Sequence, residues 1–453
     1  VINGRNIRII LTASTFILLA AYLFSRLLKD WDVHLTDFLM DNPFISTITS
    51  YLTVFLAILV IRYFALIIFS YLEHLDNIKK QQLESELGEP TPESDKKLPF
   101  ITIVVPAYNE GLIIQTAIRS LLEIDYPHYE ILVVDDGSTD DTYERAREMI
   151  DVSDKCIVTV LTKKNAGKAN ALNTGMAHAK GDFILNMDGD TKLSPNTLRD
   201  CIRHFKDPRI GAVAGNVKVY NRGNVITQVQ ALEYVEGLAL SRKAQSYSRA
   251  VNIIPGPLGM FRKSALWQVR GYDDDTYAED CDLTLKLLFD GWHIIYEPRA
   301  IAWVESPSRM IDLLKQRYRW TRGILQAIKK HAWSLWHPHK AGINGFILWY
   351  MLFEGVIWPI SNVTGNIFFA WIGVKYGATI LLAFWWLQLS ILDVVAAAYC
   401  VIIEKEDTLL IAYALVFRVF YLLVVDVAKI FASIEELVGT KMSWGKLERE
   451  GKL

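Results

Sequence analysis

The chain predicts an α/β domain set between helices that cross a membrane. Three observations carry this prediction. Apolar runs of bilayer length occupy the two ends and leave the middle free; the middle alternates short apolar runs with amphipathic stretches; and its polar motifs follow the short runs, where a mainly parallel sheet collects its ligands.

The chain has 453 residues, of which 51% are hydrophobic, more than a soluble chain of that size needs for its core. The excess lies in residues 7–24, 46–72, 343–374, 378–403 and 409–431, each near or above the roughly 20 residues that span a bilayer. One such run could be a buried helix, but five around a polar middle point to a membrane. The first run lacks a small-residue cleavage site and is soon followed by another span, so it reads as an anchor. The expected organisation is two spans in 1–75, a solvated Glu, Pro and Lys-rich linker over 76–98, an α/β domain over 99–308, interface helices over 309–340, about three spans in 341–432 and a polar tail over 433–453.

Arg5 and Arg8 before the first span and Lys79 and Lys80 after the second flank a loop carrying Asp30, Asp32, Asp37 and Asp41. This asymmetry favours a cytoplasmic amino terminus and a cytoplasmic middle in a cell-membrane protein. For the tail there are two readings: three spans after the domain place it outside, whereas Lys441, Lys446, Arg449 and Lys452 favour the inside. Residues 343–374, with Pro359 and several glycines, could hide a broken or re-entrant segment. With 48 basic and 50 acidic residues and no basic tract interleaved with aromatics, nothing points to nucleic acid. Cys156, Cys201, Cys281 and Cys400 lack metal-ligand spacing and read as thiols in a reducing compartment.

In the middle, residues 101–105, 130–134, 157–161 and 183–187 read as strands, with helices over 112–122 and 142–150. The fourth strand ends in Asp188-Gly189-Asp190. Two carboxylates so close repel when ionised, and a hard divalent cation, Mg2+ or Mn2+, holding a phosphorylated substrate would compensate them; an ordinary acidic turn is the alternative. After the second strand, Asp135 and Asp136 could accept hydrogen bonds from a base or a ribose. Asp140 and Asp141 suit a cap for the helix near Thr142. Residues 225–242 read as an amphipathic helix lying against the membrane surface. Gln316, Arg319 and Trp320 share helical spacing on a stretch that mixes basic and apolar residues. Glu354, Asn362, Asp393 and Asp426 fall in or at the ends of the later spans, where polar groups face a bundle interior or a wet path. Together with Trp349, Trp358, Trp371, Trp385 and Trp386 they could line a route for a carbohydrate chain, or simply bond helix to helix.

Six motifs in this order, Pro106-Ala107-Tyr108-Asn109-Glu110, Asp135-Asp136-Gly137-Ser138, the segment from Lys164 to Asn173, Asp188-Gly189-Asp190, Ala278-Glu279-Asp280 and Gln316-Arg317-Tyr318-Arg319-Trp320, resemble a processive family 2 glycosyltransferase. That superfamily includes cellulose, chitin, hyaluronan and poly-N-acetylglucosamine synthases. The resemblance implies a GT-A, Rossmann-like cytosolic domain inserted between transmembrane α-helices, with amphipathic interface helices. It also implies a UDP-sugar donor, a growing polysaccharide acceptor, a lipid bilayer and, as a further candidate partner, an accessory membrane subunit. Gln228 to Tyr234 and the stretch around Glu279-Asp280 look more like the N-acetylglucosamine polymerases, whereas Arg319 to Gln326 fits cellulose synthases equally well. UDP-N-acetylglucosamine is therefore the expected donor, with UDP-glucose, or a UDP-N-acetylglucosamine and UDP-glucuronate pair, as alternatives.

The resemblance assigns roles residue by residue. Asp280, beside Glu279, is the implied general base, with Asp282 structural. Ala107, Tyr108, Glu110, Asp136, Lys168, Asp188, Gln316 and Arg319 are implied for the donor, and Asp190 with Asp188 for the metal. Gly256, Pro257 and Trp320 are implied for the acceptor. A non-processive transferase acting on a lipid, or an inactive export scaffold, are the alternative functions.

Overall fold

The computed structural model describes residues 37, 41–86, 95–152, 155–337 and 344–440. The first expected span, Arg5, Arg8 and the basic residues of the tail lie outside them. Among the described residues eight strands form one sheet: β1 (Ile101–Ala107), β2 (Tyr129–Asp135), β3 (Ile157–Thr162), β4 (Phe183–Asn186), β5 (Thr191–Leu193), β6 (Ile210–Val219), β7 (Gly259–Arg262) and β8 (His293–Val304). Their order across the sheet is β3-β2-β1-β4-β7-β6-β8-β5. β1 to β4 pair in parallel, as their alternation with helices predicts, whereas β7 runs antiparallel to both β4 and β6. The sheet is therefore mixed, half of it a Rossmann-like parallel unit and half a different continuation.

Helices pack on both faces of the parallel half. α1 (Pro43–Glu86) precedes it in the chain, and α2 (Ile114–Leu122), α3 (Thr142–Arg147) and α4 (Lys168–His178) connect its strands. Ile101, Ile103 and Val105 face a core that includes Ile114, Ile118 and Leu121 of α2, while Val104 faces Ala171, Leu172 and Met176 of α4. The two-residue period of β1 thus feeds two layers, which is why this strand is buried throughout.

After β6 come α5 (Val225–Leu232), a π-helical turn (Glu233–Ala239) and α6 (Leu240–Tyr247). The sequence reads residues 225–242 as an amphipathic helix lying against the membrane surface. Instead it is largely buried: Leu232 and Tyr234 pack with Val394, Ile411 and Phe417, and Leu240 and Ala244 with Leu59, Tyr63 and Leu66 of α1. Of its polar side chains, Glu233 pairs with Arg317 and Tyr421, and just beyond the stretch Lys243 pairs with Glu404.

The remaining labelled helices are α7 (Glu279–Phe289), α8 (Met310–Lys330), α9 (Trp358–Tyr376), α10 (Ile380–Ile403) and α11 (Leu423–Val438). Among the described residues four helical stretches are long and apolar enough to cross a membrane: Pro43–Gln82, Asn344–Tyr376, Ile380–Ile403 and Leu410–Val438. Asn344–Tyr376 runs as one continuous helix, not as a broken or re-entrant segment. A π-helical turn at Phe353–Ile357 comes just before Pro359, widening the helix where the proline ring would meet the preceding turn.

The polar groups in these helices close on one another. Asp393 is fully buried; it pairs with Arg418 and accepts from the Tyr63 hydroxyl at 2.6 Å. Arg62 pairs with Glu354, and the Asn362 amide donates to Asp426 at 2.8 Å. Trp385 is buried and Trp386 donates to Asn366 at 2.7 Å, while Trp349 stands half exposed at the end of its helix. Helix-to-helix bonding accounts for these contacts. Removing one partner leaves a buried charge alone, so Asp393→Ala is expected to cost about 3–5 kcal/mol. Asp393→Leu combined with Arg418→Met should recover most of the loss, read as apparent melting temperature in detergent.

Candidate active site

The carboxyl ends of β1, β2 and β4 meet at one edge of the sheet, and the loops that leave them are bonded together. The Asn109 amide donates to Ser138 Oγ at 2.9 Å and Thr139 N donates to Asn109 Oδ1 at 2.8 Å. Glu110 N donates to Thr142 Oγ1 at 2.8 Å, and Asp140 accepts from Gly111 N and Thr142 N. Asp140 thus takes the capping contact, while Asp141 pairs with Arg145. These bonds place Ala107, Tyr108 and Glu110 beside the Asp188-Gly189-Asp190 turn. A side chain at Gly189 would lie 3.2 Å from Pro106 O and 3.6 Å from Glu110 Cγ. Ala107 is buried, whereas Tyr108 is 43% exposed.

Asp136 shapes the neighbouring loop. Its buried carboxylate accepts from Gly167 N at 2.7 Å, Ala166 N at 3.1 Å and Lys163 Nζ at 2.5 Å. Gly137 lets the chain turn there: its φ is +71° and an added Cβ would lie 2.8 Å from Asn165 N. The loop held by Asp136 leads into α4, whose first residue is Lys168.

Lys168 joins three parts of the chain. Its Nζ lies 2.7 Å from Asp188 Oδ1 and 2.9 Å from Glu279 Oε1. Burial pulls its pKa down, but Asp188, Glu279 and Asp280 outweigh that and hold the ammonium well above its ordinary range. Asp280, in the first turn of α7, accepts from Gly256 N at 3.2 Å and from Cys281 N at 2.8 Å. Burial and the Glu279 charge push its carboxyl up to about 6, against the opposing pull of Lys168. Gly256 permits the close approach of this turn, since a Cβ there would come within 3.0 Å of Lys168 Nζ and 3.3 Å of Asp188 Oδ2. The cleft is lined by Lys168, Asn186, Gly256, Tyr272, Glu279 and Asp280, among others. Pro257 lies in the same turn, closed by Leu258 N donating to Pro255 O at 3.1 Å.

Two lining residues escaped the sequence reading. Tyr272 is buried and its hydroxyl accepts from the Asn186 amide at 2.6 Å, while its backbone is clamped in both directions by Asn173 of α4. Asn186 stands two residues before Asp188 and Asn173 closes the Lys164–Asn173 motif, so both lay in view, but their common partner is nearly a hundred residues away.

Gln316, Arg319 and Trp320 lie on α8 and are not among the residues lining this cleft. Arg317 sits between them and the interior: its guanidinium carbon is 4.2 Å from the Trp320 ring centroid, it donates to Gln316 Oε1 at 2.6 Å and it pairs with Glu233. The same helix touches the candidate base from behind. Gln326 Oε1 accepts from Tyr277 N at 3.0 Å, and a Cβ at Gly323 would fall 2.6 Å from Ala278 N.

Asp273, Asp275 and Asp282 also converge closely enough to hold a cation. The Lys330 ammonium already sits among them, at 2.6, 2.7 and 2.9 Å, and His331 reaches Asp282 at 2.8 Å. Asp282 is fully buried and is held by Lys330 and His331, not by a helix-capping contact.

Residues 102–270 match the family described as Glycosyl transferase family 2. The chain carries a family 2 glycosyltransferase domain. This domain is similar to the poly-beta-1,6-N-acetyl-D-glucosamine synthase of Staphylococcus epidermidis, 33% identical over 259 residues, and to that of Staphylococcus aureus strain COL, 32% identical over 262 residues. The matches take in 57% and 58% of this chain and 62% of either relative's length. A mannosyltransferase from Pyrobaculum calidifontis, solved in complex with GDP-Man and Mn2+, superposes with a TM-score of 0.58 at 22% identity, over 83% of this chain and all of that one. That likeness shows the GT-A-like fold of the glycosyltransferase.

Because Gly323 lies against backbone, its replacement must move the loop that carries Glu279 and Asp280. Gly323→Ala is expected to cost about 1–3 kcal/mol of stability and to lower turnover more than the stability loss explains, measured by thermal shift and UDP release on one preparation.

Proposed function

We propose that this chain is a membrane-embedded, processive, inverting β-glycosyltransferase that polymerises sugar from UDP-N-acetylglucosamine and extrudes the polymer across the bilayer. The observation that carries the proposal is the cluster of Asp280, Glu279, Lys168 and Asp188 at the sheet edge, in a domain similar to poly-N-acetylglucosamine synthases. In the reaction, Asp280 takes the proton of an acceptor hydroxyl whose oxygen attacks the anomeric carbon. The bond from that carbon to the phosphate oxygen breaks on the opposite face and UDP leaves with its electron pair. One displacement inverts the centre.

A carboxyl poised near 6 is suited to this proton transfer at neutral pH. Lys168 faces the donor side and offsets negative charge there; Arg319, permanently charged, is assigned to the same diphosphate. Asp136 serves the donor by holding the loop that ends in Lys168. Tyr108, Glu110 and the backbone at Ala107 border the nucleotide, Gln316 supports Arg319, and Gly256, Pro257 and Trp320 face the acceptor.

The donor set at Asp188 and Asp190 is oxygen-only, which fits a hard divalent cation. Asp188 already shares its charge with Lys168, so Asp190 and the diphosphate would supply the other ligands. When bound, the ion neutralises charge on the leaving diphosphate as a Lewis acid. A mannosyltransferase of the same fold solved with Mn2+ supports this assignment. The four long apolar helices support a multi-pass protein in the cell membrane, and Lys79 and Lys80 after the first of them favour a cytoplasmic domain.

The decisive assay is UDP release by the detergent-purified protein with UDP-N-acetylglucosamine, UDP-glucose and UDP-glucuronate, singly and in pairs, with the product sized. Release and a long product from UDP-N-acetylglucosamine alone are expected; a need for the glucuronate pair, or glucose alone sufficing, overturns the assigned substrate. Asp280→Asn should abolish transfer while the protein still binds UDP. With the base active only when deprotonated, the rate should fall as pH drops through about 6, reaching about a tenth of its plateau one unit lower. Chelation should stop turnover, and Mg2+ or Mn2+ should restore it.

A further inference from the structure

Gln326, in the second half of α8, is bonded at both ends of its amide. Its Oε1 accepts from Tyr277 N at 3.0 Å, and its Nε2 donates to Glu436 Oε2 at 3.1 Å. One orientation of the amide serves both partners, because a backbone N–H requires the oxygen and a carboxylate requires the nitrogen. Glu436 is itself fixed. The same Oε2 accepts from Arg322 Nε at 2.8 Å, and the buried Arg322 also donates to Thr440 O at 2.6 Å and to the Tyr318 hydroxyl at 3.1 Å. Tyr318 in turn donates to Glu435. The carboxyl end of the long apolar helix Leu410–Val438 is thus tied to α8 by several hydrogen bonds, of which the one through Gln326 continues into the catalytic domain.

The other end of this bridge stands behind the candidate base. Tyr277 lies ahead of α7, whose own turns supply acceptors from Ala278 onward, the first being Ala278 O, which accepts from Asp282 N at 3.0 Å. Glu279 and Asp280 follow at once. Ala278, Cys281 and Leu285 pack with Ala327 and Ile328 of α8 and with Leu348 and Met351. Apolar contact of this kind is non-directional, so it holds two helices together without fixing how far one has slid along the other. The hydrogen bond from Tyr277 N and the close seat of Ala278 N at Gly323 fix that register. Gln326 is not among the residues lining the cleft, so any effect it has on the reaction passes through the loop.

We propose that Gln326 is a positioning residue for Asp280 and that Glu436 sets the Gln326 amide, so that the end of an apolar helix holds the base in register with the acceptor hydroxyl. The proposal rests on the synthase reading, because it takes Asp280 as the base. Proton transfer requires the carboxylate within hydrogen-bond reach of the hydroxyl, and a misplacement of about 1 Å costs on the order of a hundredfold in rate. Glutamine suits the position because it accepts on one side and donates on the other without adding a charge behind Glu279 and Asp280. Asp136 and Asp188, assigned to the donor, follow β2 and β4 and make no printed bond to α8, so nucleotide binding should survive the loss of the bridge.

The test measures kcat, the KM for UDP-N-acetylglucosamine, the affinity for UDP and the apparent melting temperature of the detergent-purified chain. It compares wild type with Gln326→Leu, Gln326→Glu, Glu436→Gln and the swap that combines the last two. Gln326→Leu removes the bridge and Gln326→Glu sets two carboxylates against each other. Both should lower kcat by about tenfold or more with KM and UDP affinity unchanged, and Glu436→Gln should lower it less. In the swap the carboxylate at 326 accepts from Tyr277 N and from the amide at 436, so most of the lost kcat should return although the charge at 326 remains. A lower melting temperature with wild-type kcat in both Gln326 variants shows a merely structural role and overturns the proposal. So does a swap no faster than Gln326→Glu alone, or a loss of UDP affinity that matches the loss of kcat. Where Gln326→Leu fails to fold, the comparison of Gln326→Glu with the swap, which keeps side-chain size, still decides. If wild type releases no UDP with any donor, the synthase reading fails and takes the proposal with it; unaffected variants of an active enzyme overturn the proposal alone.

Discussion

The Lys168 ammonium between Asp188 and Glu279 is the contact on which the site depends. Lys168 opens a helix after β3, Asp188 lies in the turn after β4, and Glu279 opens a helix some ninety residues further on. A cation among these carboxylates offsets the repulsion that would otherwise drive their loops apart. The compensation is incomplete, and that incompleteness is chemically useful. Asp280 keeps a raised affinity for a proton because burial and Glu279 act on it more strongly than the lysine does.

Two further supports hold this cluster from outside. On the sheet side, Asp136 fixes the loop that delivers Lys168, and Tyr272 with Asn173 and Asn186 fastens the helix of Lys168 to the strand of Asp188. On the other side, α8 presses on the backbone before Glu279 through Gly323 and Gln326. That helix is also bonded to the long apolar helix Leu410–Val438, Arg317 reaching Tyr421 and Arg322 reaching Glu436. A displacement of the apolar helices would therefore reach the base through packed backbone and buried ion pairs.

The three π-helical turns at Glu233–Ala239, Phe353–Ile357 and Phe417–Leu422 share a further property. Each carries charged side chains, Glu233 and Glu236, Glu354, and Arg418, of which Glu236 and Arg418 are buried. A π-turn inserts one residue and rotates the following stretch about the helix axis, so it can present a polar group inward without disturbing the apolar pattern on either side.

Much of the scaffold was legible because it depends on local pattern. The period-two and continuous apolar runs located β1 to β4, and bilayer-length runs located the long helices, since burial acts on each segment by itself. The acidic turn, the lysine after Gly167 and the Glu279-Asp280 pair stood out because ionised groups at strand and helix ends need compensation. The mixed half of the sheet, β5 to β8, was not found: β6 and β8 are long and largely buried, but their neighbours come from distant parts of the chain. For the same reason residues 225–242 read as a surface helix, when the partners of Glu233 and Lys243 lie far along the sequence. By itself, then, the sequence determined β1 to β4, the long apolar helices and which residue types could carry phosphate and proton chemistry. Only the tertiary structure decided that Lys168 would bridge Asp188 and Glu279 and that Asp136 would hold a loop, because pairing of charges across long separations is set by packing and not by spacing.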